Sequence, residues 1–176
     1  MYKTFAYPAE KTYTTLWNMI NPDNGLVIGL GKNSAWANES APPAVDLAAT
    51  EQEELFCYIP VTKRKVATLV STLTAESLEI DGKFYEAAEA NSLDAIRLSL
   101  AKRLLAEIVV DHNLLPVGSF RSIGLYRFVE YAELTDPEAA IFFPGDITAS
   151  LYYLEHFKPI NKTANLLQTF KLVVSA

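Results

Sequence analysis

Apolar positions along the chain follow two periods, roughly 3.6 in a few stretches and 2 in most others. From Ala9 to Ile20, residues Leu16, Trp17 and Ile20 fall on one side of a short helix. Pro22-Asp23-Asn24-Gly25 then predicts a turn, because proline fixes φ and glycine permits a positive one. Leu26 to Leu30 is an apolar run of strand length, and Gly31 to Pro43 is polar and irregular, with Trp36 as its one large apolar residue. Asp46 is placed to cap a helix running to about Leu55, which Glu51, Glu53 and Glu54 load with negative charge. Cys57 to Val61 and Lys65 to Leu73 predict strands, with Lys63-Arg64 between them. Ser77 to Ile80 and Phe84-Tyr85 flank Asp81-Gly82, a two-residue hairpin signal.

The longest helical pattern runs from Leu93 to Val110, after Asn91 or Ser92 as N-cap. Leu93, Ile96, Leu100, Leu104 and Ile108 share one face, and Leu98, Leu105 and Val109 widen it. Pro116 and Gly118 end it near Asn113. Beyond that the chain reads as β. Phe120 to Tyr131 suits a strand, and Asp136-Pro137 suits a turn. Ile147, Ala149, Leu151 and Tyr153 alternate with polar Thr148 and Ser150. Leu166, Phe170, Leu172 and Val174 form the inward set of a last strand, joined to the previous one through Lys158 to Lys162. The expectation is an α+β fold with a long central helix and antiparallel hairpins, one of them C-terminal. Residues 1–24 form a helical arm and residues 25–176 one domain.

Half of the 176 residues are hydrophobic and 20% are charged, so the chain has the material for a packed core. With 15 Lys and Arg against 21 Asp and Glu, the net charge of −6 argues against a phosphate-backbone binder. Lone Cys57 allows no internal disulfide. The start Met1-Tyr2-Lys3-Thr4-Phe5 lacks a signal-peptide pattern. No stretch reaches the roughly 18 uninterrupted apolar residues of a membrane helix. These features predict a soluble protein made in a reducing cytoplasm, where the sequons at Asn38 and Asn161 are coincidental.

Catalytic and metal chemistry finds little support. Gly29-Leu30-Gly31-Lys32-Asn33 lacks the upstream glycine and the Ser or Thr after lysine that a phosphate loop requires. One Cys with His112 and His156 makes a poor zinc set, and His112 at a helix end is explained by the dipole. Ser119, His112 and Asp111 lack a nucleophile elbow. Glu130, Glu133, Asp136 and Glu138 read as a solvated loop rather than paired glycosidase acids. No catalytic, cofactor or metal site is expected.

Two features stand out. Trp36 sits in a polar loop, where it either plugs its own domain's core edge or anchors a partner. Arg121 and Arg127 lie within an apolar strand, pointing to solvent or pairing with a carboxylate.

Three segments in fixed order carry a resemblance. They are Gly29 to Pro43 with Trp36-Ala37-Asn38-Glu39-Ser40-Ala41-Pro42-Pro43, then Leu115-Pro116-Val117-Gly118-Ser119-Phe120-Arg121-Ser122-Ile123-Gly124-Leu125, then Gly145-Asp146-Ile147 through Tyr152-Tyr153-Leu154-Glu155-His156-Phe157-Lys158-Pro159-Ile160, ending in Gln168 to Val174. This order resembles the baseplate wedge subunits of contractile-tailed bacteriophages, and among them the dimeric outer wedge protein of T-even-like phages in reduced form. It departs from the family pattern at Ser122, where Gln is usual, and at Asn161-Lys162, where Arg follows Pro-Ile. The resemblance implies a structural tail protein in the virion, without catalysis or cofactor, assembled in the host cytoplasm. Its expected partners are other baseplate and tail proteins, with copies repeated around the tail axis as a possible homo-oligomer, and neither nucleic acid nor membrane. Trp36, Pro42, Pro43, Phe120, Arg121, Tyr152, Tyr153 and Phe157 are the candidate interface. Other readings are a ligand- or carbohydrate-binding module using Trp36 and the tyrosines, another tail or neck protein such as a terminator, and an enzyme built on the acidic loop.

Overall fold

A computed structural model describes residues 7–110, 118–162 and 168–176. Their elements are α1 (Tyr7–Ile20), β1 (Leu26–Gly31), β2 (Cys57–Pro60), β3 (Lys63–Val70), β4 (Ser77–Ile80), β5 (Lys83–Ala88), α2 (Leu93–Ser99), β6 (Arg103–Val110), β7 (Gly118–Tyr131), β8 (Ile147–Lys162) and β9 (Gln168–Ser175). The strands form two antiparallel sheets, ordered β2-β1-β7-β8 and β4-β5-β3-β6-β9. The fold is mostly β, which overturns the expected α+β architecture with its long central helix.

The physical reason lies in the stretch from Leu93 to Val110. Ser92 caps α2, its Oγ accepting from the Ala95 amide. The helix then stops at Leu100, whose left-handed φ of 54° turns the chain out of the helix. Strand β6 begins three residues later, with Leu104, Ala106, Ile108 and Val110 all buried. Leu100, Leu104 and Ile108 recur every four residues, a spacing that satisfies the helical period and is also two strand repeats. Leucines alone do not separate the two, whereas β-branched Ile108-Val109-Val110 favours the strand.

The helix from Asp46 to Leu55 is also absent. Asp46 caps only a turn, accepting from the amides of Ala48 and Ala49. Glu54 takes a positive φ of 48°, and the carbonyls of Glu53 and Glu54 accept from the Lys32 amide instead of serving a helix. Lys63 and Arg64 lie inside β3 rather than between strands. The C-terminal hairpin is a further correction, because β8 pairs with β7 while β9 lies beside β6 in the other sheet. The hairpin of β4 and β5 is present, with positive φ at Asp81 and Gly82. Asp111, His112, Asn113, Leu115 to Val117 and Leu166 lie outside the described residues.

The chain divides into two compact units. Unit 1 comprises Met1–Asn24, Thr62–Glu107 and Lys171–Ala176. Its α1 buries Leu16, Met19 and Ile20. Arg64 closes the end of this helix, Nη1 donating to the carbonyls of Met19, Asn21 and Asn24, which satisfies acceptors the helix leaves open. Ala67, Tyr85 and Leu105 form a small core covered by Leu78, Ile80, Ala87 and Val173.

Unit 2 comprises Gly25–Val61 and Ile108–Phe170. It holds the sheet β2-β1-β7-β8, and β7 is buried continuously from Phe120 to Tyr126. A strand buried on both faces needs cover on both. Val27, Tyr58, Tyr126, Phe142 and Ile147 form the core cluster on one of them.

Candidate interaction surface

Unit 2 is built around an irregular stretch, residues 32–56, lying over its own sheet. Structureless connections of this length are uncommon in compact domains and need their own anchors. Gln52 is the central one. It is 6% exposed, its Nε2 donates to Ser122 Oγ at 2.9 Å and to the Gly29 carbonyl at 3.3 Å, and its Oε1 accepts from Tyr126 Oη at 3.1 Å. Burial raises the Tyr126 phenol above its ordinary range, so it stays a neutral donor.

Two facing glycines make room for this amide. Gly29 pairs with Gly124 across β1 and β7. A Cβ on Gly29 would stand 2.7 Å from Tyr126 and 2.8 Å from Gln52 Oε1, and one on Gly124 would stand 2.8 Å from both. These glycines serve packing in a strand, not a phosphate loop.

The stretch is pinned at its ends as well. Lys32 Nζ lies 3.0 Å from both Glu53 and Glu54. Ser34 donates to Glu54 through its hydroxyl and its amide. The Ser34 hydroxyl first, then its amide and Lys32, hold the Glu54 carboxyl down at about 2.

Trp36 is 8% exposed, and its Nε1 donates to the Phe157 carbonyl at 3.1 Å. That acceptor is available because the β7–β8 ladder slips: Phe120 pairs with Ile160, but Ser122 pairs with His156. Pro159 lies inside the slipped stretch and has no N–H to offer. The His156 ring packs on Trp36 with centroids 4.8 Å apart, and its Nδ1 lies 3.0 Å from the Pro43 carbonyl. Arg121 is 8% exposed; its Nε donates to both Glu39 oxygens at 2.8 and 3.0 Å and its Nη1 to the Asn33 carbonyl at 2.7 Å. Phe120 is buried at 2%, with Phe157 and Phe170 edge-on at 5.9 and 5.4 Å.

Trp36, Pro43, Phe120, Arg121 and Phe157 are therefore brought together as one internal clamp, with Pro42 half-buried beside exposed Pro43. Tyr152 and Tyr153 lie further along β8, both half-buried. Tyr153 Oη donates to Glu155 at 3.0 Å. Tyr152 sits where the ladder slips again, between Leu125 opposite Tyr153 and Tyr126 opposite Leu151. The Arg127 guanidinium lies 4.4 Å from its ring and 4.8 Å from that of Phe128, a cation–π arrangement with two faces.

Sequence reasoning missed Gln52, hidden in a supposed acidic helix, and the structural use of His156. It also missed the end of β7. There a third ladder shift carries Phe128 at a positive φ of 57° and 65% exposed, followed along the chain by exposed Tyr131, Leu134 and Phe143. No group of three or more His, Cys, Asp or Glu side chains converges to hold a metal among the described residues.

Two comparisons bear on the chain as a whole. The family model described as "Baseplate wedge 3 tail fiber network component" matches residues 19–176. "Virion protein 3" of Enterococcus phage phiEF24C is 24% identical over 175 residues, covering 94% of this chain and 91% of that protein.

Proposed function

The chain belongs to the baseplate wedge 3 tail fiber network component family and is a structural protein of a phage tail baseplate, and from that premise we propose that it works by holding subunits together through preformed surfaces. Its place is the virion tail, and its partners are other baseplate and tail proteins. On this reading copies repeat around the tail axis, nucleic acid and membrane are not partners, no reaction is catalysed, and assembly takes place in the host cytoplasm.

The observation that carries the proposal is the family match over nearly the whole chain, from residue 19 to 176. The clamp in unit 2 supports it physically. A subunit that bears load needs its long loop fixed, and Gln52, Trp36 and Arg121 fix residues 32–56. The half-buried faces of Tyr152, Tyr153 and Phe157 along β8, with Pro42 and Pro43, then contribute contact surface. β8 is the edge of its sheet, an edge that a neighbouring protein covers. A carbohydrate-binding reading required Trp36 in solvent, and its indole is turned inward onto the Phe157 carbonyl.

Mass spectrometry of purified virions tests the proposal. The chain is expected in the particle at a fixed ratio to other baseplate proteins. Its absence from particles, with free protein in infected cells, would overturn the reading.

A further inference from the structure

At the end of β7, unit 2 presents apolar side chains that stay exposed, even though Tyr131 rests against the buried Phe142 ring with centroids 5.5 Å apart. Leu134 is 101% exposed, Phe128 65%, Phe143 50% and Tyr131 43%. They are carried on a hydrogen-bonded frame. Tyr131 pairs with Ile147 across the strands. The Asp146 carbonyl accepts from the Ala132 amide at 2.8 Å and from the Thr135 hydroxyl at 2.8 Å. The Asp146 carboxylate accepts from the Phe143 amide at 2.6 Å, and its own amide donates back to the Phe143 carbonyl at 2.9 Å. One residue thus ties residues 132–135 to residues 143–146, which carry Leu134 and Phe143.

Phe128 adds strain to exposure. A bulky residue at positive φ is strained, and glycine is the usual occupant of such a bulge. Here the bulge turns an aromatic ring outward, under the Arg127 guanidinium. The ring stays 65% exposed beside that contact, so most of it is open to a partner.

Beyond the Arg127–Phe128 pair, the charge along the following chain is of one sign. Between Phe128 and Asp146 the chain has Glu130, Glu133, Asp136, Glu138 and Asp146, and no Lys or Arg. A symmetric contact between two copies would set these acids against each other, which is repulsive. The complementary surface is apolar at its centre and basic at its rim.

We propose that the Phe128 bulge, Tyr131 and the 132–146 loop dock into an apolar groove rimmed by Lys and Arg on a different protein of the baseplate. This rests on the baseplate reading above and goes beyond it by naming the surface and the chemistry of its partner. Leu134 and Phe143 enter the groove as anchors, and Glu130, Glu133 and Glu138 meet the basic rim.

The test uses virions of the phage that carries the chain. A photo-crosslinking benzoylphenylalanine in place of Leu134 is expected to link to an apolar segment flanked by Lys or Arg in another virion protein, identified by mass spectrometry. In parallel, Leu134→Ser and the double variant Glu133→Lys/Glu138→Lys are expected to lower incorporation into particles by about tenfold, with unchanged melting temperature of the isolated protein. Crosslinking to a second copy, an absence of crosslinks in particles that contain the substituted chain, or incorporation of both variants at the wild-type level would overturn the proposal. Absence of the wild-type chain from particles is a different failure, that of the baseplate reading itself.

Discussion

The two irregular stretches of unit 2, residues 32–56 and 132–146, direct their polar groups in opposite ways. The first turns them onto the sheet: Gln52 bonds to Ser122 and Tyr126, Arg121 to Glu39 and Asn33, and Trp36 to Phe157. The second turns its acidic side chains onto itself, through Asp146 and the Asp136 carboxylate that accepts from the Glu138 amide, while its Phe142 backbone exchanges hydrogen bonds with Tyr58 of β2. The consequence is visible in the apolar residues. Trp36, bonded to Phe157, is 8% exposed and Phe142, bonded to Tyr58, is 1% exposed, whereas Leu134 in the second stretch and Leu47 in the first are wholly exposed. Within either loop, the points whose hydrogen bonds reach the sheet join the core, and the apolar side chains between those points are left to solvent or to a partner.

Trp36→Ala gives the largest expected effect, because it removes a buried indole and leaves the Phe157 carbonyl without its donor. A loss of about 3 kcal/mol is expected in denaturant unfolding; a change under about 0.5 kcal/mol would place Trp36 outside the core. Gln52→Ala comes second, at about 1–3 kcal/mol, since Ser122 and Tyr126 each lose a buried partner. Its unfolding curve, set beside that of Trp36→Ala, shows whether the loop is held at both points. Leu134→Ser is expected to change stability by no more than about 0.5 kcal/mol, and a larger loss would show that the second loop is packed after all.

The smallest effect concerns pH. The Glu54 carboxyl is depressed from 4.5 to about 2 by Ser34 and Lys32. A depressed carboxyl contributes stability that is fully present above 4.5 and lost as pH falls through about 2. Because Glu54 is exposed at the surface, the contribution is small. The stability difference between wild type and Glu54→Gln is expected to shrink steadily from pH 5 to pH 2, and a constant difference would exclude the role of ionised Glu54.

Much of the strand framework was legible in the sequence, because alternation and turn residues are local signals. Asp81-Gly82 marked its hairpin, Leu26 to Leu30 its strand, and Phe120 to Tyr131 most of β7. What misled was leucine at four-residue spacing, which suits both periods and hid the change from α2 to β6 at Leu100. The pairing of β9 beside β6 instead of β8 is a long-range choice that adjacency in sequence does not reveal. At the candidate interface, Trp36 and Arg121 drew notice in the sequence as a large apolar residue in a polar loop and a charge in an apolar strand, but their burial depends on partners as far away as Phe157 and Glu39. The Phe128 bulge left no local mark, since nothing in Arg127-Phe128-Val129 signals a positive φ.

The most direct measurement is a reconstruction of the intact particle at side-chain resolution. The account predicts this chain in the baseplate, with Trp36 turned onto its own Phe157 and Leu134 and Phe143 covered by a basic-rimmed groove of a different protein. Density showing Trp36 inserted into a neighbour, with the 132–146 loop facing solvent, would contradict it.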